Sequence, residues 1–416
     1  MEAINFPYYL LVSAVIISFY AAFMSGANDF ANAFGTAVGS NAITFKQAIL
    51  IAIIAELLGA VTVGGHVTDT VRKGIVDPCN FETDPMLLVY GLLAALIGSG
   101  VFLQAATHLG VPVSTTHAIV GAMVGFGIVS CGFESICWSK VARIAMSWVV
   151  SPIGGGIAAY AIFRIIQNRI LERRNPVAAA SRMVPVFVGL TGSILTLSIL
   201  YKGLKNLHLD LPLNQAVIAA LVIGLIAMFI ARSVLPRSSD RKKRVQLTIV
   251  EGNFKYLQII TAGYIAFAHG ANDVANAVSP LAGIWAIYHE GLIGLKAEVP
   301  IWILVMGGTG IVIGLAVFGK NVIDTVGKKI TNITPSRGFA AGFSAATIVL
   351  IFSKLGMPVS TTHTLVGAVI GVGLARGIGA IDMRVVNKIL MSWVITIPAA
   401  AIVTAIVYLI LIKIFI

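Results

Sequence analysis

GANDFANA at residues 26–33 returns as GANDVANA at residues 270–277, 244 positions later. Outward from this pair, PVSTTH at 112–117 recurs unchanged at 358–363, an offset of 246. Met146-Ser147-Trp148 recurs as Met391-Ser392-Trp393 at 245, and Asp69-Thr70-Val71 matches Asp324-Thr325-Val326 at 255. Four matches in one order divide the chain into two homologous repeats, 1–166 and 252–416, joined by a linker at 167–251. The unequal offsets mean that the loops between the motifs differ in length.

The motifs sit among long apolar runs. Spans are expected near 6–25, 44–66, 86–109, 111–129 and 140–165, then 184–200 and 213–232 in the linker, then 256–280, 299–320, 338–355, 357–375 and 387–413. Each is about the 20 residues a bilayer-crossing helix needs, and continuous runs favour helices over a barrel. The expectation is an all-α polytopic membrane protein of about twelve transmembrane helices. Seven crossings precede the second repeat, so the repeats enter from opposite faces and are inverted. Glycine and proline punctuate the PVSTTH segments, so broken or re-entrant helices are expected there. If both segments were re-entrant, ten spans and parallel repeats would result, with Arg376, Arg384 and Lys388 outside; the charge rule favours twelve.

Composition agrees. Of 416 residues, 58% are hydrophobic and 11% charged, against about a quarter charged in a soluble domain. The net charge of +12 is concentrated: Arg164, Arg169, Arg173, Arg174 and Arg182 in one segment, and Arg232, Arg237, Arg241, Lys242, Lys243, Arg244 and Lys255 in another. Set against Glu172, Asp240 and Glu251, they supply +9 of the excess. Two short basic loops read as cytoplasmic, not as a nucleic-acid surface. Both termini then fall outside the cytoplasm, and Lys328, Lys329 and Arg337 fall inside. The N-terminal stretch, with Glu2 and no basic start, reads as a first span rather than a cleaved signal. Cys79, Cys131 and Cys137 lack metal-ligand spacing, although Cys131 and Cys137 are close enough in sequence to pair.

The motifs carry the chemistry. Inserting a charge at membrane depth costs roughly 2.5–3.5 kcal/mol, so Asp29 and Asp273 need a partner or a purpose. Carboxylates, the amides of Asn28, Asn32, Asn272 and Asn276, and freed carbonyls are hard oxygen ligands suited to an alkali cation. Gly26 and Gly270 are expected to permit the local unwinding that frees such carbonyls. PVSTTH reads as a helix start: Ser114, Thr115 and Thr116, and again Ser360, Thr361 and Thr362, follow a proline and precede an apolar run. Such a start binds an oxyanion through backbone N–H groups and hydroxyls; its blander use is to cap itself. His117 and His363 either orient the turn, titrate or pack. Two carboxylates and an oxyanion repel in a dry site, so the anion loads only with cations or protons, as a symporter requires.

Glu56 lies inside an apolar run and is a candidate for cation or proton coupling; its counterpart in the second repeat, near Met306, is not acidic. Gln104, His108, Arg143, Lys354 and Lys388 read as helix-end contacts, and Trp148 and Trp393 as packing or interfacial anchors. Gly314 to Lys320 imitates a phosphate loop, GxxxxGK, but Asn321 replaces the required hydroxyl and the segment is apolar. No enzyme motif appears, so no enzyme activity is expected.

The duplicated GANDFANA/GANDVANA and PVSTTH motifs resemble those of the inorganic phosphate transporter (PiT) family over both repeats. The resemblance implies cation-coupled phosphate import through a twelve-helix inverted-repeat fold with a midplane site. It implies phosphate binding by Ser114, Thr115, Thr116, Ser360, Thr361, Thr362, Asn32 and Asn276. Sodium falls to Asn28, Asp29, Asn272 and Asp273, with Glu56 at an acidic position that the family carries in its second helix. Some relatives carry another Glu after a PSxGF segment; here Pro335 to Phe339 is followed by Ala340, Ala341 and Gly342, so that acid is missing. The compact linker fits a prokaryotic plasma-membrane form. The expected partners are phosphate, sodium or protons, the lipid bilayer and a second copy in a homo-oligomer, with no cofactor beyond co-transported sodium. The competing readings are a proton-coupled carrier of phosphate, metal-phosphate or sulfate, and an anion channel.

Overall fold

The apolar runs fold as helices throughout. A computed structural model describes residues 7–76, 81, 83–201, 211–236, 241–290, 299–320, 330–357 and 359–415. Cys79, Arg237, Asp240, Asn321, Asp324 to Val326, Lys328, Lys329 and Pro358 lie outside the described residues. Among the described residues the α-helices are α1 (Tyr8–Gly39), α2 (Phe45–Gly74), α3 (Pro85–His108), α4 (Thr115–Cys131), α5 (Trp138–Ile166), α6 (Pro176–Leu200), α7 (Leu213–Val234), α8 (Lys243–Glu290), α9 (Ile301–Phe318), α10 (Pro335–Lys354), α11 (Thr361–Arg376) and α12 (Met383–Phe415). Each expected span corresponds to one of these twelve.

Nine of them are long and apolar enough to cross a membrane, and the chain is an all-α multi-pass membrane protein. The other three are α4, α8 and α11. At 17 and 16 residues, α4 and α11 reach only about 25 Å, short of the ~30 Å hydrocarbon core. The PVSTTH segments therefore begin helices shorter than the other spans. Helix α8 has 48 residues but carries the polar GANDVANA motif in its middle, which lowers its hydropathy. It also runs unbroken through positions 251 and 252, where the linker was expected to meet the second repeat.

Neither GAND motif unwinds its helix, contrary to expectation: α1 and α8 are continuous through Gly26 and Gly270. The glycines serve close packing instead. A Cβ at Gly270 would collide with the backbone carbonyl of Glu56 on α2, and one at Gly26 with that of Ile311 on α9. The same relation joins Gly59 to Phe267 and Gly314 to Phe23. The position facing Gly26 as Glu56 faces Gly270 is thus Ile311, not the Met306 region, because the loops differ in length.

A second exchange links the two ends. Gly121 and Gly125 of α4 lie against Ile397 and Ala401 of α12, while Gly367 and Gly371 of α11 lie against Pro152 and Gly156 of α5. The helix that follows each PVSTTH therefore packs on a helix from the opposite end of the chain. Around this core, α6, α7 and α12 present Val186, Leu190, Leu221, Phe229 and Ile402 outward, as lipid-facing helices must. Cys131 and Cys137 are both free thiols, so the pairing that their spacing allows is not made.

Candidate functional site

Ser114 and Ser360 begin α4 and α11 as the sequence suggests: each accepts, on its hydroxyl oxygen, the N–H of the histidine three residues on, at 3.2 and 3.1 Å. These serines cap their own helices. The threonines that follow turn inward. Thr362 accepts a hydrogen bond from the Asn32 amide at 2.7 Å and donates to the Val113 carbonyl. Thr115 and Thr116 accept from the Asn276 amide at 3.1 and 3.2 Å, and Thr116 donates to the Val359 carbonyl. Each GAND helix thus reaches the PVSTTH helix of the other repeat.

The two Asp residues lie at the centre. Asp29 accepts from Asn32 at 2.6 Å. Asp273 accepts from Asn276 at 3.2 Å and from the Thr361 hydroxyl at 2.7 Å. Both carboxylates are fully buried, near two helix starts whose unpaired N–H groups and positive dipole ends favour negative charge.

Asn28 and Asn272 stand further back. Asn28 brackets the α3–α4 connection: its amide donates to Thr107 and to the Val111 carbonyl, and its oxygen accepts the Val113 N–H. Asn272 donates to Ser353 at 3.0 Å, the position matching Thr107. Its own oxygen is buried without a donor.

His269 is the participant the sequence reading missed. Its Nδ1 lies 3.0 and 2.9 Å from the two oxygens of Glu56. Its Nε2 lies 2.9 Å from Asp273 and 3.4 Å from Asp29 without hydrogen-bond alignment. One imidazole therefore joins all three buried acids. The available signal was its place, one residue before GAND in an apolar run, where the first repeat has Ser25. Ser25 is buried and its hydroxyl has no partner.

Several acceptors at this centre remain unsatisfied: among the described residues, none donates a hydrogen bond to the buried Asp29 Oδ2, Asn32 Oδ1 or Asn276 Oδ1. Such oxygens are costly unless a donor or cation reaches them. Asp29, His269 and Asp273 also offer ligand atoms all within 4.8 Å of one another. The cavity beside them, lined by Asn32, His269, Thr361 and apolar residues, measures about 10 Å³, room for a single water-sized body.

His117 and His363 brace the repeats. Nδ1 of His117 lies 3.4 Å from the Trp393 carbonyl, and Nδ1 of His363 lies 3.3 Å from the Trp148 carbonyl. Ring centroids are 3.8 Å apart for His117 and Trp148, and 3.5 Å for His363 and Trp393. The two tryptophans pack here rather than anchor at an interface. Gln104 accepts from Tyr20 and Lys354 donates to the Tyr201 carbonyl. The phosphate-loop imitation at Gly314 is helical, and Lys320 lies over the Phe45 ring.

Residues 25–404 match the sequence profile described as the Phosphate transporter family. The chain belongs to the phosphate transporter family. It is a family of permeases, not of enzymes. Among its relatives is a Pyrococcus abyssi protein named "Putative phosphate permease", 47% identical over 405 residues, covering 96% of this chain and 98% of its own. The Arabidopsis thaliana protein "Inorganic phosphate transporter 2-1, chloroplastic" is 43% identical over 414 residues, covering 94% of this chain and 70% of its own. A solved structure, "The sodium-dependent phosphate transporter", is 41% identical with a TM-score of 0.91, covering 98% of this chain and 100% of that one. The hydroxyls and helix starts at this centre are able to donate to an oxyanion, and its bare oxygens are able to ligate a cation.

Proposed function

We propose that this chain is a sodium-coupled phosphate symporter of the cell membrane, with both termini outside the cytoplasm, importing phosphate by alternating access between two inverted repeats. The observation that carries the cation half is the set of donor-less buried oxygens on Asp29, Asn32 and Asn276. They are hard ligands in a dry site, beside a second carboxylate at Asp273. Asp29 and Asp273, with Asn28 and Asn272 behind them, bind sodium. Thr115, Thr116, Thr361 and Thr362, with Asn32 and Asn276, hold phosphate at the two helix starts that Ser114 and Ser360 cap. The crossed contacts between repeats, matched position by position, support a site that both repeats share. Sodium neutralises the carboxylates so that a phosphate anion can enter beside them.

A second reading has its own support. His269 touches Glu56, Asp273 and Asp29 together, and an imidazole among carboxylates is a proton-handling group. On that reading protons replace sodium, and Glu56 with His269 performs the coupling.

Uptake of radiolabelled phosphate into proteoliposomes separates the two. Accumulation driven by an inward sodium gradient, unaffected by excess sulfate and lost in D29N and D273N, is the expected result. Accumulation driven only by an inward proton gradient overturns the sodium assignment. Normal sodium-dependent uptake by either Asp→Asn variant overturns the site.

A further inference from the structure

The arginines at the α5–α6 turn do more than mark a side of the membrane. Helix α5 ends in a π-helical turn at Gln167–Leu171, and the chain reverses through 172–175 before Asn175 caps α6 by accepting the Ala178 N–H at 3.1 Å. The reversal brings Arg169, Arg173, Arg174 and Arg182 around one open cavity of about 420 Å³, with Asn175 and Met183 in its wall. The volume is that of a small-molecule site. All four arginines are exposed. Among the described residues none has a carboxylate partner, and the acid of the turn, Glu172, is held by the Gln167 amide at 2.7 Å. Four arginines gathered around one space make a positive surface that an anion complements. Their planar forks match phosphate oxygens in a bidentate way. Within two helical turns of the cavity residues, α5 and α6 present exposed Ile165, Val186 and Leu190, apolar surface of the kind acyl chains cover.

We infer that this cavity is a second anion site, separate from the transport centre, for a phosphate group carried by an anionic phospholipid or by free phosphate. A headgroup there would tie α5 to α6, the connection between the first repeat and the linker. Neither the motifs nor the buried acids take part, so the site stands or falls independently of the coupling ion.

The test uses the full chain purified in neutral detergent and offered phosphatidylglycerol or phosphatidylcholine, with retained lipid counted by native mass spectrometry. In parallel, binding of radiolabelled inorganic phosphate is measured to saturation. The comparison is among the native protein, R173Q/R174Q, and the control K242Q/K243Q, which removes the same charge from the start of α8. If R173Q/R174Q does not fold, R169Q/R182Q takes its place. Retention of phosphatidylglycerol over phosphatidylcholine, reduced about tenfold or more in R173Q/R174Q but not in the control, identifies a lipid site. Absence of lipid preference with one fewer phosphate bound per chain in R173Q/R174Q identifies a free-phosphate site. Binding by R173Q/R174Q equal to the native protein in both measurements, or an equal loss in the control, overturns the inference.

Discussion

Replacing the Glu56–His269 pair by the residues at the matching positions of the opposite repeats tests whether the buried pair is an energetic unit. The positions matching Glu56 and His269 are Ile311 and Ser25, so the exchange is E56I, H269S and the double variant. His269 is the partner of Glu56 among the described residues, with both carboxylate oxygens within 3.0 Å, and both side chains are at most 1% exposed. H269S therefore strands an acid in the core, and E56I leaves an imidazole facing only Asp29 and Asp273. Removing one member of a buried ion pair costs about 3–5 kcal/mol, whereas replacing both by groups that pack costs far less. The double variant should recover at least about 2 kcal/mol relative to the sum of the singles, well above the ~0.5 kcal/mol scatter of independent sites. Unfolding of the purified variants in detergent, followed by tryptophan fluorescence, gives the cycle. Additive losses would refute the pairing. A recovered fold with phosphate uptake still absent would assign the pair to transport rather than to stability.

The remaining predictions concern packing, the anion site and orientation. G270A pushes a methyl group into the Glu56 carbonyl and should cost about 1–3 kcal/mol as overpacking does; a thermal transition unchanged from the native protein contradicts the close approach of α8 to α2. T116V removes a hydroxyl shared by Asn276 and the Val359 carbonyl and should raise the phosphate concentration for half-maximal uptake about tenfold. S114A removes a cap and should mainly lower stability, by about 1 kcal/mol; the reverse pattern would exchange the two roles. Cys131 is exposed at the end of α4, and a membrane-impermeant maleimide should label it in intact cells. Labelling only after permeabilisation would invert the proposed topology.

Helix number and the central residues were legible because the chain states them twice. Period and polarity alone could not have selected Asn32 and Thr362 as neighbours, but the duplication marked both. Two features escaped for physical reasons. Glycine in an apolar run is compatible with unwinding or with close helix contact, and the choice depends on the partner: the carbonyls of Ile311 and Glu56, hundreds of residues away, decide for contact. His269 escaped because its meaning lies in three acids from α1, α2 and α8. Sequence distance hides that cluster; only the departure from the repeat, histidine against serine at position 25, hinted at it. The shortness of α4 and α11 was hidden by the apolar composition of the runs around them.

The departures from the repeat matter to the cycle as much as the matches do. Asn32 to Thr362 and Asn276 to Thr116 are equivalent latches, and with the centre fully buried neither repeat can leave the other without breaking one. On the inverted-repeat reading, a molecule with identical halves would open equally readily to both faces. Glu56 and His269 break that equality, because they tie α2 to α8 through polar side chains, whereas the matching positions on α9 and α1 hold Ile311 and Ser25. Three carboxylates, when ionised, also outnumber one imidazole even when the imidazole is protonated. The double variant E56I/H269S removes the difference: if the pair biases the resting state, cysteine accessibility on the two faces should become more alike than in the native protein. If accessibility keeps its native asymmetry, the bias resides in the unequal loops instead.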